Sequence, residues 1–261
     1  MFENFKMVLV EVRDYVVHVT LNRPDVKNAM NYEMVTELHT LFTALKDERH
    51  VRVIVIAGAA ETFCAGGDIK EMRENSIPNH TNGVNLDAML RACNEADQVV
   101  IAKIEGAALG GGFGLACVSD IAIASESAQF GLPEVRLGIA PAFISPYVIQ
   151  RMGLGRARDL MLTGRRFSGA QAYQYGLVHQ VCPPTALETV VENQLEDLRH
   201  CAPGAIAAIK RLMFAVADRP LEDTVNYRAD LLNSLRAGDE AQAGMKAFLE
   251  KKPAPWAGED T

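Results

Sequence analysis

Apolar positions along the first part of the chain follow two alternating rhythms. The runs "VLVEV" (8–12) and "VVHVTL" (16–21) have strand length and are separated only by Arg13-Asp14-Tyr15, which predicts a β-hairpin. From Met30 the period lengthens. Met30, Met34, Leu38, Leu41, Phe42 and Leu45 recur at helical intervals, with Asn28 or Asn31 placed to cap the helix. "VRVIVIAG" (51–58), "VVIAKIEG" (99–106) and "DIAIAS" (120–125) are further apolar runs, and continuous runs of this length suit strands covered on both faces. Strand, turn, helix and strand thus repeat through about residue 165, the pattern of an α/β fold around a mostly buried sheet. Beyond Gly164 the spacing turns helical, and a helical appendage is expected to start near Ala202-Pro203-Gly204. The expected division is a core over 1–201 and a C-terminal helical region over 202–261.

With 261 residues the chain can bury a substantial core. Its net charge of −7 opposes nucleic acid or an anionic membrane as partner, because no basic patch offsets it. The five cysteines, Cys64, Cys93, Cys117, Cys182 and Cys201, are scattered and never form C-x-x-C, so reduced thiols are expected rather than disulfides or zinc. The opening "MFENFKMVLVEV" lacks the basic and apolar regions of a signal peptide, and the cytoplasm is the expected compartment.

Glycine carries the candidate chemistry. "CAGGDIKEM" (64–72) and "ALGGGFGLA" (108–116) each follow a strand-like run and precede a helix-like one. Each glycine costs roughly 0.5–1 kcal/mol relative to alanine inside a regular element, so four in five positions at 110–114 imply a need for bare backbone. A turn of this kind offers free N–H groups to an oxyanion at a helix N-terminus. Taken alone, either turn is equally a tight connection. The familiar alternatives fail on spacing: G-x-G-x-x-G is absent around 110–115, neither turn ends in G-K-[ST], and there is no G-x-S-x-G or H-E-x-x-H. No metal-binding motif remains.

Five blocks in order carry a family resemblance: "LNRPDVKNAMN" (21–31), "FCAGGDIKEM" (63–72), "IEGAALGGGFGLACVSDIAIAS" (104–125), "AQFGLPEVRLGIAP" (128–141) and "LTGRRFSGAQAYQYGLVHQV" (162–181). Together they resemble the enoyl-CoA hydratase/isomerase (crotonase) superfamily over nearly the whole chain. The resemblance implies an α/β spiral of ββα repeats, followed by C-terminal helices that form a homotrimer or a hexamer of two trimers. It implies an acyl-CoA thioester substrate, with coenzyme A belonging to the substrate and no separate cofactor.

Residue by residue, the resemblance maps two oxyanion-binding N–H groups onto Ala65 and Gly111 and a catalytic carboxylate onto Glu134. Where relatives keep a second glutamate this chain has Gly114, whose missing side chain is expected to leave room for a branched acyl group. Glu134 would then work alone, its pKa raised by an apolar pocket. The first turn, Ala65, Gly66, Gly67, Asp68, Ile69 and Lys70, is expected to line the thioester. Lys27 and Ala29 match positions near the adenine and pantetheine, and Phe248 and Lys251 match a segment that reaches a neighbouring subunit's nucleotide.

"GGGFGL" combined with "PAFISPYV" (141–148) resembles bacterial hydratases of branched glutaconyl-CoA esters, such as 3-methylglutaconyl-CoA in leucine breakdown and isohexenylglutaconyl-CoA in terpene breakdown. Lys70 and Tyr227 are candidate partners for the extra carboxylate. A Δ3–Δ2-enoyl-CoA isomerase, or a noncatalytic homologue that binds acyl-CoA or RNA, is the alternative.

Overall fold

The computed structural model describes residues 2–46, 48–74 and 84–258, so the extreme ends of the two expected regions, residue 1 and residues 259–261, lie outside it. β1 (Val8–Arg13) and β2 (Val16–Leu21) form the predicted hairpin, with Arg13 opposite Val16 and Asp14 in the left-handed region at φ 53°. α1 (Tyr32–Leu45) starts at Asn31, whose side chain accepts from the Met34 N–H at 3.0 Å. Asn28 is therefore no cap. It is wholly buried, and its amide instead bonds the carbonyls of Ala59 and Thr62.

β3 (Val53–Gly58) follows, then the short α2 (Ile69–Glu74) and α3 (Leu86–Asn94). The run expected over 99–106 forms β4 (Val99–Ile104), and a separate short strand, β5 (Ala107–Leu109), follows it. α4 (Gly111–Val118), β6 (Ile121–Ser125), β7 (Gln129–Gly131) and α5 (Ser145–Thr163) come next. The segment expected to be helical beyond Gly164 also holds two short strands: β8 (Phe167–Ser168), α6 (Gly169–Gln174) and β9 (Gln180–Cys182) lead into α7 (Leu187–Arg199). α8 (Pro203–Val216), α9 (Val225–Ala237) and α10 (Asp239–Leu249) complete the chain.

Two sheets organise these elements. The larger has the order β1-β2-β3-β4-β6-β9 and is parallel except for the hairpin. Each of its central strands passes on into a second, smaller layer before entering a helix. In that layer Met30 bridges Gly67, Cys64 bridges Ala108, and β5, β7 and β8 pair in turn. Successive strand–strand–helix units therefore stack as a spiral. Because the central strands of the large sheet are covered on both faces, they are apolar on both. Val17, Val19, Ile54, Ile56 and Val100 face α1, α3 and α4, while Val16, Val53, Val55 and Ile101 face Leu187, Val191 and Ile206 of the later helices.

The helical region docks through a partly buried ion pair. Lys210 on α8 donates to Asp120 Oδ2 at 2.6 Å and to the Gln98 carbonyl at 2.7 Å. The same Asp120 oxygen accepts from the Val100 N–H, so α8 is tied to two neighbouring strands at once.

Candidate active site

The spiral brings three chain segments together at one end of the small sheet. The first, residues 64–68, is held on one edge by residues 27–30. The Ala65 N–H donates to the Lys27 carbonyl at 2.9 Å, the Met30 N–H to Gly66 O at 2.8 Å, and the Asp68 N–H to Met30 O at 2.9 Å. Alternate groups of a parallel ladder point to opposite sides. The expected donor Ala65 is thus engaged within the fold. The group left without a partner among the described residues is the N–H of Gly67. Two glycines in "CAGGD" mark the turn, yet which N–H stays free is decided by a segment about 37 residues earlier.

The second segment is the 109–112 turn. Gly110 has φ 48° and anchors its own N–H on the Gly131 carbonyl at 3.1 Å. A Cβ on Gly110 would stand 2.9 Å from Glu134 Oε1 and 3.6 Å from the Gly66 Cα, so a side chain there would crowd the carboxylate while only meeting the first turn. A Cβ on Gly112 would stand 2.6 Å from the Cys64 carbonyl, which lets α4 approach the first turn closely. The N–H of Gly111 opens α4 with no partner inside the helix. α4 is buried along its whole length, and Phe113 within it packs edge-on against Phe130 and Phe167. That aromatic anchor fixes where the first turn of the helix points.

The third segment is the 3-10 turn Pro133–Leu137, which begins at a proline and closes at Gly138. It carries Glu134 to the Gly110 backbone. Its Oε2 is buried and without a hydrogen-bond partner among the described residues. Burial pushes the carboxyl above the ordinary glutamate range, only partly opposed by the residue's own backbone N–H. The site thus sets a desolvated carboxyl, one oxygen of it unpartnered among the described residues, against the glycine turn that opens α4.

Gly114 departs from expectation. Its N–H donates to Gly110 O at 2.9 Å, and the space a side chain would occupy is filled by Ile144, whose Cβ is 3.0 Å from the ideal Cβ position. The missing side chain therefore leaves no open room for a branched acyl group. Ile144 is 2% exposed and lies just before α5, thirty residues downstream, so nothing local to the glycine run announces it.

Lys27 and Ala29 belong to the ladder beside the first turn, and Ile69 and Lys70 are exposed at the start of α2. Asp68 pairs with Arg23 at 2.9 Å. Tyr227, Phe248 and Lys251 are not brought to this cluster: they are exposed on or just beyond α9 and α10, and no hydrogen bond joins them to it among the described residues. Phe248 lines a separate open cleft of about 450 Å³ with Met245, Lys252 and Trp256.

The profile of the enoyl-CoA hydratase/isomerase family matches residues 11–259. The chain belongs to this family. Pseudomonas aeruginosa AtuE shares its crotonase fold at a TM-score of 0.93 and 44% identity, covering 97% of this chain and 100% of that one. An enoyl-CoA hydratase/isomerase from Marinobacter aquaeolei gives 0.91 and 40%, over 97% and 99%. The short-chain-enoyl-CoA hydratase of Clostridium acetobutylicum is 31% identical over 94% of this chain and 95% of its own length. This crotonase-family chain is an enzyme of the hydro-lyase type. Among its described residues no helix is long and apolar enough to cross a membrane.

Two outcomes follow from the packing. Since burial raises the Glu134 pKa, ionising that group opposes folding. The penalty is absent below the unfolded-state pKa and grows as pH rises toward the folded one. Glu134→Gln should raise the thermal midpoint at neutral pH and leave it unchanged near pH 4, in paired melting curves. Gly114→Ala should lose about 1–3 kcal/mol in urea unfolding through crowding of Ile144. Combined with Ile144→Ala it should lose clearly less than the sum of the two single changes.

Proposed function

We propose that the chain is an enoyl-CoA hydratase, adding water across the conjugated double bond of an acyl-CoA thioester with Glu134 as its single carboxylate. The observation that carries this reading is the buried Glu134 carboxyl, its Oε2 without a partner among the described residues, set against Gly110 in the turn that opens onto the Gly111 N–H.

In the reaction, ionised Glu134 removes a proton from water as the water oxygen bonds the β-carbon. Electrons of the double bond move to the thioester, where the Gly67 and Gly111 N–H groups hold the enolate oxygen. Losing one such donor typically costs roughly 3–4 kcal/mol of transition-state stabilisation. Glu134 then returns the proton to the α-carbon, the carbonyl re-forms, and the carboxylate is regenerated. Its raised pKa brings it nearer to the balance that a group acting in turn as base and acid requires.

The substrate proposed is a branched glutaconyl thioester, either 3-methylglutaconyl-CoA or isohexenylglutaconyl-CoA, with coenzyme A as part of it. Support comes from the joint occurrence of "GGGFGL" and "PAFISPYV", with exposed Lys70 as a candidate partner of the second carboxylate. The branch would extend elsewhere than over Gly114, because Ile144 stands there. A homotrimer or hexamer is part of the proposal: Phe214, Leu232, Phe248 and Leu249 leave the C-terminal helices with apolar faces open, and a neighbouring copy would cover them and bring Tyr227, Phe248 and Lys251 into use.

The lone carboxylate equally suits proton transfer between two carbons, the isomerase reading. A panel of isohexenylglutaconyl-, methylglutaconyl- and crotonyl-CoA followed by absorbance and mass spectrometry separates the two. Hydration removes the conjugated-enoyl absorbance and adds one water, whereas isomerisation shifts the double bond at constant mass. Glu134→Gln should slow hydration by roughly 10²–10⁴-fold and abolish an acid limb in kcat/KM that lies above the ordinary carboxylate range. Full activity in that variant would overturn the mechanism.

A further inference from the structure

The Gly67 N–H owes its direction to the ladder between residues 27–30 and 64–68, and one side chain clamps both sides of it. Arg23 donates from one guanidinium nitrogen to the Ala29 carbonyl and from the other to Asp68 Oδ2 at 2.9 Å. The two charged side chains are only 19% and 17% exposed. Asp68 uses its remaining oxygen on the N–H groups of Lys70 and Glu71, at 3.1 and 3.3 Å, so the residue after Gly67 is fixed from both directions. Burial works to raise the Asp68 carboxyl, but the Arg23 bond and those two N–H groups overcome it and hold the group below its ordinary value. Arg23 itself is seated by its backbone N–H, which donates to the buried Asn28 side chain at 2.9 Å.

We propose that Arg23 is a positioning residue for the oxyanion donor at Gly67: its fork locks Ala29 to Asp68 and thereby aims the N–H that lies between them. The role rests on the reading of Gly67 as a donor to the thioester oxygen. Arg23 acts through the backbone and touches no reacting atom. A planar fork that bonds two acceptors cannot be replaced by the point charge of lysine. A donor that swings by a fraction of an ångström loses most of its effect on a developing oxyanion while contributing little to ground-state binding of the thioester.

The experiment compares wild type, Arg23→Ala, Arg23→Lys, Asp68→Asn and the Arg23→Ala/Asp68→Asn double variant with the best thioester of the panel, measuring kcat, KM and thermal midpoint for each. Expected is a kcat loss of roughly tenfold to hundredfold in each single variant with KM within about threefold, because one donor is misaimed rather than removed. The double variant should be no slower than the worse single one, since both residues belong to one clamp. Added guanidinium ion should restore part of the kcat of Arg23→Ala and none of that of Asp68→Asn.

Should Arg23→Ala fail to fold, Asp68→Asn, nearly unchanged in shape, carries the same kcat-against-KM reading. The inference is overturned if the variants keep wild-type kcat. It is also overturned if kcat and KM deteriorate together in proportion to the thermal midpoint, with additive losses and no rescue. Wild-type protein that hydrates no thioester would instead overturn the proposed function and take this inference with it.

Discussion

The contact between two stretches of bare backbone governs this molecule. Gly66 and Gly110 lie so close that a Cβ on the second would come within 3.6 Å of the first and 2.9 Å of the Glu134 carboxylate. A side chain there would press on that carboxylate and would be strained at the Gly110 φ of 48°. The spiral supplies the force that keeps the two turns together. Each unit lays a strand in the large sheet and another in the small layer, so Met30, Gly67, Cys64 and Ala108 are drawn into register by strands that are themselves buried on both faces. Conformational cost at the glycines is met by the packing of α4, whose every residue is buried and whose Phe113 sits against Phe130 and Phe167.

The same arrangement fixes the electrostatics. Glu134 arrives on a short turn that begins at a proline, with Oε2 buried and unpartnered among the described residues and Oε1 set against Gly110. Among the described residues no side-chain cation pairs with it, and only its own backbone N–H works against the burial. A carboxylate in that state is costly to keep ionised and correspondingly ready to take a proton. The chain thus retains a buried group that works against stability, the kind of cost that the proposed acid–base role explains.

Much of this was legible in the chain itself, and the exceptions share a cause. The hairpin, the helix from Met30 and the apolar strands follow from local periodicity, and the five ordered blocks carry the family, Glu134 and Gly111. What local pattern cannot carry is pairing at a distance. Ala65 reads as the first donor until residues 27–30 lie alongside and take its N–H, leaving that of Gly67. Gly114 reads as vacant space until Ile144 arrives from the start of α5. Asn28 and Asn31 are equal candidates as caps until the loop 59–62 claims the first. β8 and β9, two and three residues long, are too short to show a period and exist only through pairing with β7 and β6.

The account stands on two backbone donors converging on one oxygen. Its most direct test is a crystal structure with a nonreactive acyl-CoA thioester bound. The thioester oxygen should lie at about 2.7–3.1 Å from both the Gly67 and the Gly111 nitrogens, with the Glu134 carboxylate facing the α- and β-carbons. A thioester oxygen bonded at Ala65, or bound away from these two turns, would contradict it.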